Sequence, residues 1–158
     1  MEKKVNLSEY DPSEIPNGEP FKIAIVAAEW NGTITDAMLS GACDTLKEHG
    51  VKKENIVIKR VPGTFELTIA ADLLLERDKR LDAVICIGCV IQGETRHFDF
   101  ICEAVSNGIT NVAIKHGKPV IFSILTTNTI EQALDRAGGK HGNKGVEGAT
   151  TALKMCAF

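Results

Sequence analysis

The sequence predicts an α/β fold, a three-layer sandwich with a four-stranded parallel sheet between two layers of helices. Three observations point there. Short apolar runs alternate four times with stretches whose apolar residues recur at helical spacing. The run Ala83 to Ile91 is apolar at nearly every position, as a strand covered on both faces must be. The chain of 158 residues, 44% hydrophobic and 25% charged, has the size and make-up of one ordinary globular domain.

Residues 1–20 read as an irregular arm, because Asp11 to Pro20 carries three prolines and little to bury. The domain proper runs over 21–158. Phe21 to Ala28 is its first strand. Ile34, Ala37, Met38, Gly41, Ala42 and Thr45 then mark one face of a helix ending at Gly50. Asn55 to Val61 is a second strand and Phe65 to about Arg77 a second helix. Asp82 to Ile91 is the third strand, and Ile101, Ala104, Val105, Gly108, Ile109 and Val112 stripe a third helix. Lys118 to Leu125 is the fourth strand. Thr129 with Gln132 forms a capping-box pattern that opens a helix with Ile130, Ala133, Leu134 and Ala137 on one face. After the break from Gly138 to Gly145, Val146, Ala149, Thr150 and Leu153 mark a last helix.

Composition excludes several functions. A net charge of -3 with interspersed signs argues against nucleic acid as a ligand. No apolar leader follows Met1, and no run is long enough to span a bilayer, so the expectation is a cytoplasmic protein without a membrane partner. Five cysteines show no disulfide framework. Cys86 and Cys89 form a C-x-x-C, but on a strand residues three apart point to opposite faces and cannot hold one metal. No metal and no cofactor are expected.

In a parallel sheet of this kind, ligands sit outside the carboxyl ends of the strands. The first strand runs into Glu29-Trp30-Asn31, and Trp30, the one tryptophan, suits stacking on a flat heterocycle. The second ends at Val61-Pro-Gly-Thr-Phe-Glu66. There Thr64 is placed to cap the following helix, and Glu66 to accept hydrogen bonds from ligand hydroxyls. The third leads through Val90, Ile91 and Gln92 to Gly93-Glu-Thr-Arg-His-Phe-Asp99. A glycine turn before a helix N-terminus makes a phosphate cradle, and the positive end of the dipole disfavours an imidazolium at His97. Phe122 and Ser123 lie beyond, followed by Arg136 and the glycine-rich Gly138 to Gly145. This stretch fails the P-loop register and lies between two helices; it displays Arg136, Lys140 and Lys144, of which arginine suits bidentate phosphate binding best.

Taken in order, Glu29-Trp-Asn31, Val61 to Glu66, Gly93 to Asp99, Thr126 to Gln132 and Arg136 to Gly145 resemble the lumazine synthase pattern over Phe21 to about Met155. The resemblance implies a flavodoxin-like strand order. It also implies condensation of 5-amino-6-ribitylamino-2,4-pyrimidinedione with 3,4-dihydroxy-2-butanone 4-phosphate to 6,7-dimethyl-8-ribityllumazine. Carried onto this sequence, it implies that Trp30 stacks on the pyrimidine where relatives commonly have phenylalanine. Thr64 and Glu66 hold the ribityl chain, with Asn31, Gly63 and Phe65 beside them, and Val90 and Ile91 offer backbone groups to the heterocycle. Glu94 and Thr95 bind phosphate through backbone N–H and hydroxyl, with Arg136 as ionic partner. His97 moves protons, Phe122 lines the far side and Lys144 the pocket edge. Gln92 and Glu94 depart from the arginine and the small residue common there, so the Glu94 carboxylate is expected to point away from the anion.

The resemblance further implies homopentamers, with Phe122 and Arg136 reaching in from the adjacent subunit. The uninterrupted turn at Gly138–Gly145 permits twelve such pentamers to close an icosahedral 60-subunit shell. The rival readings are an archaeal-type riboflavin synthase, which needs no phosphate contacts, and a non-catalytic lumazine or flavin carrier or shell protein, which needs no retained His97, Arg136 and Lys144.

Overall fold

The computed structural model describes residues 5–158; Met1 to Lys4, the first residues of the expected arm, lie outside them. The described part of the arm is irregular apart from one short 3-10 turn at Pro12–Glu14, where Asp11 caps Ser13. The elements that follow are β1 (Ile23–Ala28), α1 (Gly32–Glu48), β2 (Ile56–Val61), α2 (Leu67–Arg77), β3 (Ala83–Ile91) and α3 (His97–His116). The chain continues with β4 (Val120–Thr127), α4 (Ile130–Asp135), a small hairpin of β5 (Ala137–Gly139) and β6 (Gly142–Asn143), and α5 (Lys144–Cys156). The main sheet is parallel throughout, in the order β2-β1-β3-β4, which is the flavodoxin-like order.

The period of two along each strand sorts the core into two layers. Ile23, Ile25 and Ala27 of β1, with Ile85, Ile87 and Cys89 of β3, pack against Ile34, Met38 and Leu46 of α1 and Ala149 and Leu153 of α5. The intervening Ala24, Val26, Val84 and Cys86 pack against Leu67, Ala71 and Leu75 of α2 and Val105 and Ile109 of α3. Cys86 and Cys89 therefore belong to opposite layers, as the strand argument requires. Burial raises the Cys86 thiol pKa to about 12 and that of Cys89 to about 11, so both behave as small apolar side chains. No helix among the described residues is long and apolar enough to cross a membrane.

The fourth strand, expected over Lys118 to Leu125, runs two residues later as Val120–Thr127, and four further local expectations change. Phe21 and Lys22 precede the strand, because Lys22 turns its ammonium onto Asp78 at 2.6 Å while its backbone N–H is held by Asp82. The second helix begins with a separate 3-10 turn at Thr64–Glu66, and Thr64 does not cap it. Its side chain is buried over Gly88, and Glu66 instead reaches back to accept the Gly63 N–H at 3.0 Å. The Thr129 helix is capped as expected, Thr129 accepting from the Gln132 N–H. It stops at Asp135, however, and of its apolar face only Ala133 is buried, while Ile130 and Leu134 are exposed. Finally, the glycine-rich break is the β5–β6 hairpin, whose close turn is possible because Gly138 and Gly142 adopt positive φ.

Candidate active site

The carboxyl ends of β1, β2 and β3 lie side by side, and hydrogen bonds continue between the chains beyond the strands. Glu29 and Trp30 donate their N–H groups to Val61 and Pro62 carbonyls at 2.8 and 3.0 Å. Asn31 then takes a left-handed conformation (φ 58°) and donates its side-chain amide to the Cys89 carbonyl at 3.0 Å, tying β1 to β3. This frame lays the Trp30 indole over Gly63. A Cβ on residue 63 would come within 2.6 Å of the indole carbons Cε3 and Cζ3, so only glycine leaves room for the ring. Trp30 is nevertheless 67% exposed, which leaves a large aromatic surface available for stacking.

Trp30, Asn31, Thr64, Phe65, Val90, Ile91 and His97, all expected site residues, line one pocket of about 180 Å³. Cys89 and Ile101 complete its wall and were not foreseen, because both read as plain core apolars. Gly63 forms the floor under Trp30, and Glu66 stands beside it with one carboxylate oxygen committed to the Gly63 N–H. His97 is the first residue of α3 and is exposed; its N–H meets the Thr95 hydroxyl at 3.4 Å. Glu94 and Thr95 lie exposed on the loop before it, and nothing crowds Gly93.

Phe122 and Lys144 lie elsewhere. They line a second cleft, about 320 Å³, beside the outer strand β4, with Glu147, Gly148 and Thr151. Phe122 does not stand at a strand end: it pairs with Cys86 in mid-sheet, whereas Thr127 pairs with Ile91 at the carboxyl edge. Five residues of strand separate the two levels, roughly 16 Å at ~3.3 Å per residue. Within one chain, then, the expected site residues fall into two groups.

The cations of the second group are bound to an acid the sequence reading did not single out. Arg136 donates through Nη2 to Glu147 Oε1 at 2.5 Å and through Nη1 to the His141 carbonyl at 2.6 Å. Lys144 Nζ reaches Glu147 Oε2 at 3.0 Å. Burial works to raise the Glu147 pKa, but hydrogen bonds from Lys144 and Arg136 and their charges outweigh it and hold the carboxyl below its ordinary value. Two cations around one carboxylate leave a net positive charge, and Arg136 retains N–H groups beyond the two it spends here. The spacing of Lys144 and Glu147, one helical turn apart on α5, was the available signal for this pair.

A third and larger cleft, about 530 Å³, lies between α2 and α3 and is lined by Phe65, Ile69, Val105 and Val112, with Asp72 and Lys115 at its rim. It lies mostly along the two helices rather than at the strand ends, and exposed Ile69, Leu73 and Phe100 make this side of the molecule unusually apolar.

Comparison with known proteins shows the family. The family described as 6,7-dimethyl-8-ribityllumazine synthase matches residues 20–158. A protein of that name from Cytophaga hutchinsonii is 60% identical over 152 residues, covering 96% of this chain and 94% of the relative. Another from Parabacteroides distasonis is 56% identical over 153 residues, covering 97% and 95%. A third, from Porphyromonas gingivalis, is 55% identical over 150 residues, covering 95% and 92%.

Proposed function

Because this chain belongs to the 6,7-dimethyl-8-ribityllumazine synthase family, an enzyme family of riboflavin biosynthesis, we propose that its reaction runs where the two groups of site residues meet across neighbouring copies. The reaction joins 5-amino-6-ribitylamino-2,4-pyrimidinedione to 3,4-dihydroxy-2-butanone 4-phosphate. The primary amine of the pyrimidine attacks the ketone and water leaves. Phosphate departs by elimination, and the ribityl-bearing nitrogen closes onto the new carbonyl with loss of a second water. Such chemistry asks chiefly that two reactants be held in register, with modest proton transfer.

In this reading Trp30 stacks on the pyrimidine above Gly63, and Val90 and Ile91 present backbone groups to its edge. Thr64, Phe65, Asn31 and the free oxygen of Glu66 receive the ribityl chain. His97, at the pocket wall, takes and returns the protons of amine attack. Thr95 and the backbone of Glu94 offer donors to the phosphate, and Arg136 and Lys144 supply its positive charge. Phe122 closes the pocket over the ring.

One observation carries the reading. The strand-end pocket, at about 180 Å³, falls short of the ~300 Å³ at which ligand sites begin, and its expected second aromatic Phe122 and cation Lys144 line a different cleft of the same chain, with Arg136 joined to Lys144 through Glu147. A second copy that lays its β4 edge against the strand ends supplies both. Repetition of that heterologous contact closes a ring, here read as a pentamer, and exposed Ile69, Leu73, Ile130 and Leu134 are apolar surface suited to it. Rings of this kind are read as able to close a 60-subunit shell.

The test is direct. Purified protein is mixed with both substrates and lumazine absorbance is followed above the uncatalysed background. Protein-dependent product that vanishes when the phosphate ester is omitted supports the reading. Tight lumazine or flavin binding with no turnover favours the carrier instead.

A further inference from the structure

The arm and the phosphate-binding arginine grip the same two oxygens. The His141 carbonyl, which accepts from Arg136 Nη1 at 2.6 Å, also accepts from the Leu7 N–H at 3.1 Å. Glu147 Oε1, which accepts from Arg136 Nη2 at 2.5 Å, also lies 3.0 Å from the Ser8 hydroxyl. That hydroxyl accepts the Asn143 N–H at 2.7 Å, and its single proton lies between the Asn143 carbonyl at 2.9 Å and Glu147. The His141 ring adds a bond from Nδ1 to the Val5 carbonyl at 2.8 Å. The hairpin is shaped for this approach: Gly142 sits at φ +92°, and a Cβ there would strike both Asn6 Oδ1 and Ser8 Oγ.

We propose that Ser8 is a positioning residue for the condensation, acting through Glu147 to hold Arg136 and Lys144 in the geometry that receives the phosphate ester. This rests on the reading of Arg136 as the phosphate partner. The physical reason is economy of orientation. A carboxylate gripped by Arg136 and Lys144 alone can follow either cation, and the guanidinium then samples directions that miss the anion. A neutral hydroxyl anchored to the hairpin backbone fixes Oε1 without adding charge, so the cluster keeps its net positive charge while losing freedom. The described part of the arm, which adds no strand to the sheet, thereby contributes to the site.

The experiment measures KM for each substrate separately, with the melting-temperature shift given by inorganic phosphate, for the wild type, Ser8→Ala, Ser8→Thr, Glu147→Gln and Ser8→Ala/Glu147→Gln, and for Arg136→Ala as the control. Because Ser8 acts on the anion only through Glu147, the loss is set at the net strength of one ordinary hydrogen bond: Ser8→Ala raises KM for the phosphate ester about three- to tenfold, and leaves KM for the pyrimidine unchanged. Ser8→Thr restores the wild-type value, and Ser8→Ala adds nothing further in the Glu147→Gln background. A Ser8→Ala protein that matches wild type in phosphate response, or that raises both KM values alike, overturns the proposal. So does an effect that persists in full on Glu147→Gln. If Arg136→Ala leaves the phosphate response intact, the reading of the site itself fails; if Arg136→Ala weakens it and Ser8→Ala does not, only the role of Ser8 falls.

Discussion

Replacing Gly63 by alanine isolates the role of the tryptophan platform. The new methyl carbon would lie 2.6 Å from two indole carbons and 3.2 Å from Glu66 Oε2. Carbon atoms rest at about 3.5–4.0 Å, so the ring must lift by about 1 Å or swing aside. Since Trp30 is 67% exposed it yields cheaply, and the cost to folding stays below about 1 kcal/mol, a melting-temperature change of at most about 2–4 °C for a chain of this size. The stack itself is worth about 0.5–1.5 kcal/mol beyond simple burial, so its loss raises KM for the pyrimidine roughly two- to tenfold. KM for the phosphate ester stays as it was. Trp30 is the single tryptophan of the chain, so its fluorescence reports this contact alone. Added pyrimidine quenches emission in the wild type, and the quenching curve shifts to higher concentration in Gly63→Ala. An unchanged quenching curve and KM, with the methyl group in place, would refute the placement of the heterocycle on Trp30.

Three further outcomes follow from the site. Arg136→Ala lowers turnover more than His97→Ala does, because the reaction depends more on orientation than on proton transfer; steady-state kinetics showing a dead His97 variant beside a near-normal Arg136 variant contradict this. Glu147, whose carboxyl is held below its ordinary pKa of about 4.5, contributes stability that is present above that value and is lost as pH falls through the lower folded value. The melting-temperature gap between wild type and Glu147→Gln therefore narrows between pH 6 and pH 3.5, and a constant gap speaks against the ion-pair cluster. Native protein at pH 8 leaves Cys86 and Cys89 unmodified by a thiol reagent, since their pKa values stand near 12 and 11, and unfolding exposes both; mass mapping of rapid native labelling at either residue would contradict the core assignment.

The strand ends were readable because each carries its chemistry next to the residues that build it. Trp30 lies two residues past the end of β1 and His97 opens α3, so placing the element places the side chain. The parallel, covered sheet was legible in the apolar runs, whereas its strand order came from the resemblance and matches the observed β2-β1-β3-β4. What the sequence hides is contact between distant segments. Glu147 reads as one more solvated helix carboxylate until the hairpin folds Arg136 against it, 11 residues away, and Ser8 approaches from 139 residues away. Phe122 reads as a strand-end aromatic because an apolar run does not say where its last paired residue falls; the register puts it five residues short of the edge. The Thr64 hydroxyl reads as a helix cap by residue type, but the buried position over Gly88 outweighs that local preference.

The division of the site between copies is tested most directly by subunit mixing. One variant, Trp30→Ala/Glu66→Ala, disables the strand-end pocket, and the other, Arg136→Ala, disables the cationic cleft. Each is assayed alone and after joint unfolding and refolding, with mixed assemblies verified by mass spectrometry of tagged subunits. In a ring where each site joins one face of a copy to the other face of its neighbour, random mixing pairs two intact faces at about one quarter of the sites. Activity should therefore recover to about a quarter of wild type. Verified mixed assemblies with no activity above that of the separate variants would place the whole site within one chain and contradict the account.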